Sequence, residues 1–460
     1  MPNLNVPPGP PPVKGLLNTL RLINDIQRQT MLSYFTDRFA EYGDIFTMQF
    51  GEAKVLFVAN PEAMYEIIVE KAKHFYKGAD YRNRQNGLAR FLGNGLLTSD
   101  GEFWKRQRKL VAPSLHAKRI ESYAEIMVDV TQRTIDNWHD GAELDVDQEM
   151  MRATLEIVGK ALFKVDVSRD AERVGHALTV IQQNMGGITI IPAWVPTPAK
   201  LRVSRAVRAL DDLVYGIIAE RRKSGEDYGD LLSMLLLARD DDDNGMTDEQ
   251  VRDEAVTLLL AGHETTANAL NWTWMLLAQN PDKEALLHEE LDTVLGGRAP
   301  MLTDLKQLPY TEMVIKESMR LYPPAYSFGR MAIEDVNIQG YDIPANTDIN
   351  IFSIIAHRSP QWWDEPMEFR PERFSPENEK NIPRYAYLPF GGGPRVCIGN
   401  SFAMMEARLM LATMAQRFQL RLKPGQTVKL DPLITLRPLG GMHMRVEQRE
   451  PTRVPEPELA

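Results

Sequence analysis

Among 460 residues there is one cysteine, Cys397, in the stretch Phe-Gly-Gly-Gly-Pro-Arg-Val-Cys-Ile-Gly (390–399). A lone thiol can be an inert core side chain, a nucleophile with a base beside it, or a metal ligand. Core packing does not call for a glycine-rich loop, which costs entropy to order. Such a loop does let backbone approach a large flat ligand and aim N–H groups at sulfur. A helical pattern follows directly, with Phe402, Met405, Leu409 and Ala412 on one face. The sulfur is therefore expected at a helix N-terminus, held there as thiolate. No histidine lies closer in sequence than His357 and His443. One protein thiolate, with the other ligands supplied by a macrocycle, fits a haem iron.

Other residues break local rules. The stretch 254–278 reads as a long helix, apolar on most faces and hence buried, yet its middle carries Gly262, His263, Glu264, Thr265 and Thr266. A mid-helix glycine costs roughly 1 kcal/mol against alanine, and buried polar groups add a desolvation cost. Such departures mark function. His-Glu-Thr-Thr-Ala begins like the zinc-protease motif, but Ala267 stands where the second histidine ligand belongs. His263 is expected to be a packing or helix-surface residue, and Thr266 to back-bond within the helix. Glu317 and Arg320 share a helix face at i, i+3, and Trp104 and Arg108 share one at i, i+4.

The elements that must position these residues follow from patterning. Residues 44–59 read as a hairpin around Gly51, and Asn60-Pro61 as a helix start. A mostly helical region is expected over about 102–290 and short strands over 333–352. A loop-rich stretch (357–396) precedes a helix (400–417), and short strands occupy 418–447. The acidic run 240–245 places Asp240, Asp242, Asn244 and Gly245 like the start of a calcium loop. Val251 replaces the bidentate glutamate, so it reads as a solvated loop ended by a Thr247–Gln250 capping box.

The chain is expected to form a single domain over 1–460, with a Pro-rich lead-in (1–15) and a loose tail (448–460). One cysteine excludes an intrachain disulfide and a multi-cysteine zinc site. A net charge of −10 argues against general nucleic-acid binding. The N-terminus has no secretory pattern or membrane-spanning run, so a soluble, cytoplasmic protein without a transmembrane anchor is expected.

The cysteine stretch fills all five fixed positions of Phe-x-x-Gly-x-Arg-x-Cys-x-Gly with Phe390, Gly393, Arg395, Cys397 and Gly399. It resembles the haem loop of the cytochromes P450. Further signatures are Phe-Trp-Lys-Arg-Gln-Arg-Lys (103–109) and then, in order, Lys-Glu-Ser-Met-Arg (316–320), Leu-Tyr-Pro-Pro (321–324) and Pro-Glu-Arg-Phe (371–374). The resemblance runs from about residue 30 to 447. It implies a mainly α fold with small β-sheets. Haem b would lie between the long central helix and the cysteine-loop helix, with Cys397 as axial iron ligand.

By the same resemblance, Trp104, Arg108, Arg330 and Arg395 meet the propionates, and Phe390, Gly391 and Gly399 complete the cofactor loop. Ala261 and Gly262 lie over the haem face; Glu264 and Thr265 relay protons to the oxygen. Glu317, Arg320 and Arg373 lock together in support of the loop. The substrate pocket falls to the region 82–97, Leu260, Ala325, Tyr326, Phe328, Ile434 and Thr435. The implied activity is insertion of one oxygen atom of O2 into a lipophilic compound such as a fatty acid, terpenoid or carotenoid. Fatty-acid hydroxylases of this family can hold a carboxylate with Arg and Tyr on the first hairpin; here that hairpin has only Lys54. No dinucleotide fingerprint follows a strand, so a separate ferredoxin- or flavodoxin-type donor with its reductase is implied, docking on Lys105, Arg106 and Lys109. The alternatives are a peroxide-dependent haem hydroxylase and a non-catalytic haem sensor or electron carrier.

Overall fold

A computed structural model describes residues 5–85, 87–164, 175, 177, 179–181 and 197–450. The hairpin forms as β1 (Ile45–Phe50) and β2 (Ala53–Val58), turning at Gly51 with φ +62°. The Pro-rich lead-in runs extended beside it: Val13 donates to the Gln49 carbonyl at 2.8 Å, and Thr47 to that of Pro8 at 2.8 Å. Asn60 then caps a helix, accepting the Ala63 N–H at 2.9 Å, with Pro61 in the first turn.

Strand β3 (Phe75–Lys77) is followed by α1 (Gly101–Val111) and α2 (Ala124–Ile135), then by β4 (Glu143–Asp145) and α3 (Val146–Phe163). Helix α4 (Pro198–Ser224) leads to the long α5 (Asp248–Gln279). The capping box at the start of α5 is formed in full: the Gln250 N–H donates to Thr247 Oγ1 at 3.2 Å, and the Thr247 N–H to Gln250 Oε1 at 3.1 Å. Most of α5 is buried, as its nearly all-round apolar sequence requires. It packs against α3, α4 and the later helices α6 (Pro309–Leu321) and α7 (Asn400–Ala415).

The strands between α6 and α7 are β5 (Phe328–Ala332), β6 (Val336–Ile338), β7 (Tyr341–Ile343) and β8 (Asp348–Ile351). After α7 come β9 (Phe418–Leu422), β10 (Lys429–Pro432), β11 (Leu436–Leu439) and β12 (His443–Gln448). The main sheet has the order β1-β2-β8-β5-β3, with β2 and β8 parallel and the other pairs antiparallel. Its register sets Lys77 opposite Arg330. A second sheet, β4-β12-β9, closes on α3, and β10–β11 forms a separate hairpin. The resulting architecture is mainly helical with small sheets, as expected.

Of the expected loose tail, Gln448 ends β12, and Arg449 is tied to the Ala415 and Gln416 carbonyls (3.1 and 3.0 Å) and to Asp292 (2.9 Å). Residues 451–460, like 1–4 of the lead-in, lie outside the described residues.

Candidate active site

The cysteine loop turns on glycines. Gly391 and Gly393 take φ +66° and +63°, left-handed conformations costly for a side chain. A Cβ on Gly393 would stand 1.9 Å from the Ile68 carbonyl oxygen. The Cys397 N–H closes the loop onto the Phe390 carbonyl at 2.9 Å, and α7 begins three residues later. Solvent reaches the Cys397 side chain from one side, while protein crowds it closely on the others. That burial pushes the thiol up, against the Gly399 N–H and the Arg108 charge that pull it down. Burial and the helix end thus oppose each other at this sulfur. A coordinated metal ion deprotonates such a thiol outright.

Beside the loop, positive charge accumulates. The Arg395 guanidinium lies 3.9 Å from the Trp104 ring centre and that of Arg108 5.7 Å. Arg395 also donates to the Ser99 carbonyl at 2.9 Å and pairs with Asp100. Arg330 and Lys77 are both buried. Burial lowers Lys77, with Arg330 and Arg395 adding to it, and brings Arg395 down to about 10. Asp100 also accepts the Lys77 backbone N–H at 2.9 Å, and Arg82 reaches it from the edge at 3.8 Å. Lys77, Arg330 and Arg395 thus converge around a single carboxylate, with Arg108 next to Arg395. Desolvated cations in such excess need anions, and the two propionates of a haem fit that need. Sequence reasoning missed Lys77 and Asp100, since only sheet register brings Lys77 to Arg330.

On α5, Ala261 is exposed and Gly262 and Thr265 are half-buried, between turns that are otherwise buried. Accessible surface in mid-core is where a flat cofactor face fits. Thr265 Oγ1 donates to the Ala261 carbonyl at 2.7 Å. A Cβ on Gly262 would lie 3.2 Å from Val158 Cγ2, so this glycine also lets α3 approach. His263 is buried and pushed down to about 4 by that burial, so it is a neutral packing residue. Thr266 back-bonds to the Gly262 carbonyl at 3.4 Å. Glu264 is buried and accepts a hydrogen bond from Thr435 Oγ1 at 2.5 Å.

Glu317 and Arg320 are both fully buried and joined by two hydrogen bonds of 2.7 and 2.8 Å. Arg373 approaches Glu317 at 3.3 Å, completing the expected trio. Arg320 also donates to the carbonyls of His357 and Pro366 (both 2.7 Å) and Glu368 (3.1 Å). His357 Nε2 in turn accepts the Leu388 N–H at 2.8 Å, two residues before the cysteine loop. The loop-rich stretch is thereby fixed to α6.

Of the expected pocket residues, Ala325 is exposed and Phe328 and Ile434 are half-buried. Three others serve the scaffold. Leu260 belongs to the buried core. The Tyr326 hydroxyl donates to the Pro432 and Leu433 carbonyls at 3.2 and 2.8 Å, tying the β10–β11 turn to the β5 approach. Thr435 is committed to Glu264. Within region 82–97, the Asn94 N–H donates to Asp253 at 2.7 Å and the Leu96 N–H to Glu254 at 3.1 Å. Burial pushes Glu254 up to about 8. Lys54 lies away from these groups, in a surface pocket of about 180 Å³ against the Pro-rich lead-in.

The expected docking cations are not a free positive patch. Arg106 is locked to Asp240 at 2.6 Å and to the Asn244 and Gly245 carbonyls, so it closes the acidic loop instead. Lys105 pairs with Glu102 and Lys109 with Asp241, both at 2.6 Å on the exposed surface. Among the described residues, no helix is long and apolar enough to cross a membrane.

Comparison with known proteins agrees with this geometry. The Cytochrome P450 family profile matches residues 7–443. The chain is 38% identical over 415 residues to Cyclooctatin synthase of Streptomyces melanosporofaciens, covering 89% of each protein. It is 32% identical over 422 residues to Pentalenene oxygenase of Streptomyces avermitilis, covering 91% of this chain and 93% of the relative. It is 31% identical to Protein LUTEIN DEFICIENT 5 of Arabidopsis thaliana, covering 97% of this chain and 78% of the relative. This chain belongs to the cytochrome P450 family and is a haem-dependent monooxygenase.

Proposed function

We propose that this monooxygenase hydroxylates a lipophilic isoprenoid, a terpenoid in preference to a fatty acid, using haem b. The observation that carries the substrate class is the lack of a carboxylate anchor on the β1–β2 hairpin. Lys54, its one candidate, faces the Pro-rich lead-in, while the accessible pocket residues Ala325, Phe328 and Ile434 are apolar. A fatty-acid carboxylate brought there would lose water without gaining a partner. The names of the relatives, an oxygenase of pentalenene among them, point the same way. Titration of the haem spectrum with cyclic terpenes and with fatty acids of similar size tests the reading. Terpenes should shift it at lower concentration; a preference for fatty acids would refute it.

The chain's own residues divide the remaining work. Bound haem would supply the iron that activates dioxygen, and Cys397 would hold it through its sulfur. Trp104, Arg108, Arg330, Arg395 and Lys77 would hold its propionates. The buried turns around Thr265 exclude bulk water. The Thr265 hydroxyl, resting on the Ala261 carbonyl, can swing to donate into the cleft, and Glu264 beside it holds a proton. Thr265→Ala should therefore leave haem content and substrate binding intact. Product per reductant consumed should fall on the order of tenfold or more, the scale of a general acid's contribution, with hydrogen peroxide rising in step. Unchanged coupling would reduce Thr265 to a packing residue.

A separate ferredoxin- or flavodoxin-type protein supplies the electrons in this reading, and the enzyme works beside it in the cytoplasm. Lys105 and Lys109 remain its contact candidates, because exposed pairs such as theirs hold by only about 0–1 kcal/mol and can exchange partners. Reversing both charges should slow reduction by the native donor about tenfold at low salt, and salt should slow the unmodified enzyme too. Reduction insensitive to salt would exclude this face. Buried residues from Leu32 through Val446 join one apolar cluster, which supports reading the chain as one haem domain.

A further inference from the structure

Beside Glu264, one face of α5 carries two buried amides that oxygen chemistry at Thr265 does not explain. Glu264, Asn268 and Asn271 stand at i, i+4 and i+7, hence in one stripe, and all three are buried. Amides in a helix interior this dry are costly unless hydrogen-bonded. Their donors are used: Asn271 Nδ2 reaches Asp147 Oδ1 at 2.6 Å, and Asn268 Nδ2 reaches Thr435 Oγ1 at 3.2 Å. Thr435 passes its own hydrogen bond to Glu264. Among the described residues, none donates to the amide oxygens of Asn268 and Asn271. Neighbouring buried acceptors of this kind are sites for ordered water.

The stripe has an outer end. Asp147 lies in the first turn of α3 and is half-buried. Burial and the adjacent Asp145 push its carboxyl up to about 6, against Asn271 and the nearby Arg437, which pull it down. It can thus take up and release protons close to neutral pH.

We propose that this stripe is the route by which protons reach Glu264 from the α3 side of the molecule. Asp147 takes a proton from solvent and gives it to water held by the Asn271 and Asn268 oxygens. That water protonates Thr435 Oγ1 as the Thr435 hydroxyl hands its own proton to Glu264. The reverse turn of each hydroxyl and water resets the chain, so no charge accumulates. The path follows seven residues of helix, about 10 Å. The inference rests on the reading that Glu264 holds the proton that Thr265 delivers.

The test uses the haem-loaded enzyme with its electron donor, and the variants Asn271→Leu, Asp147→Asn and Glu264→Gln. Asn271 and Asp147 lie beyond the cleft, so haem content and the substrate-induced spectral shift should be unchanged. Product formation in both should slow about tenfold, with a larger solvent deuterium isotope effect. Asp147→Asn, at the rim, decides the matter should Asn271→Leu fail to fold. Independently of turnover, a high-resolution crystal structure should show water within hydrogen-bond reach of Oδ1 of both Asn268 and Asn271. A dry stripe, or normal rates in Asp147→Asn, overturns the route. If Glu264→Gln slows turnover while Asn271→Leu and Asp147→Asn do not, the route fails and the role of Glu264 stands. If Glu264→Gln is itself without effect, the underlying reading fails.

Discussion

Arg320→Ala should yield almost no haem-loaded protein. The side chain is wholly buried, and its guanidinium is shared between two Glu317 oxygens and three backbone carbonyls. Alanine would leave the Glu317 carboxylate buried with only the 3.3 Å contact from Arg373 and the Arg370 N–H at 2.9 Å. Removing one partner of a buried pair costs about 3–5 kcal/mol. That is a large share of the roughly 5–15 kcal/mol that holds a domain folded. Arg320→Lys keeps the charge but loses the planar fork, so it should recover little. Soluble yield, haem-to-protein ratio and thermal midpoint report the effect together. Normal values for Arg320→Ala would mean that the pair is dispensable, as surface pairs are.

Cys397→His should abolish the long-wavelength band of the reduced carbonyl complex and nearly all monooxygenation. The propionate cluster and the α5 face do not involve residue 397, so some haem should still bind. Imidazole is neutral and a weaker electron donor than thiolate, and thiolate donation is what favours cleavage of the O–O bond. Haem stoichiometry, the carbonyl spectrum and product formation, measured on one preparation, separate loss of cofactor from loss of the ligand. An unchanged band would show that another residue ligates the iron.

Legibility in the sequence followed contact distance along the chain. The turn of the cysteine loop, the Glu317–Arg320 pair and the Thr247–Gln250 cap are set by neighbours within a few residues, and these local contacts form. The hairpin at Gly51 was also readable, because turn chemistry and alternation are local. Lys77 was not, because its role comes from pairing with Arg330 across the main sheet. The bond from Thr435 to Glu264 spans 171 positions, so sequence reading did not join the two. Arg106 looked like docking charge until a loop 134 residues away was found closing on it. The helix end at Cys397 was visible in sequence, whereas the burial that opposes it was not.

The grip of Arg320 on carbonyls 37, 46 and 48 residues away also orders events in time. The stretch it holds has little regular structure, so that one side chain gathers three of its carbonyls at once. Such distant contacts are reached only after the entropy of closing the intervening chain has been spent. In refolding from denaturant, helical signal should return first. Capacity to capture haem should lag until α6 has gathered this stretch, which makes cofactor uptake a late checkpoint on a finished scaffold.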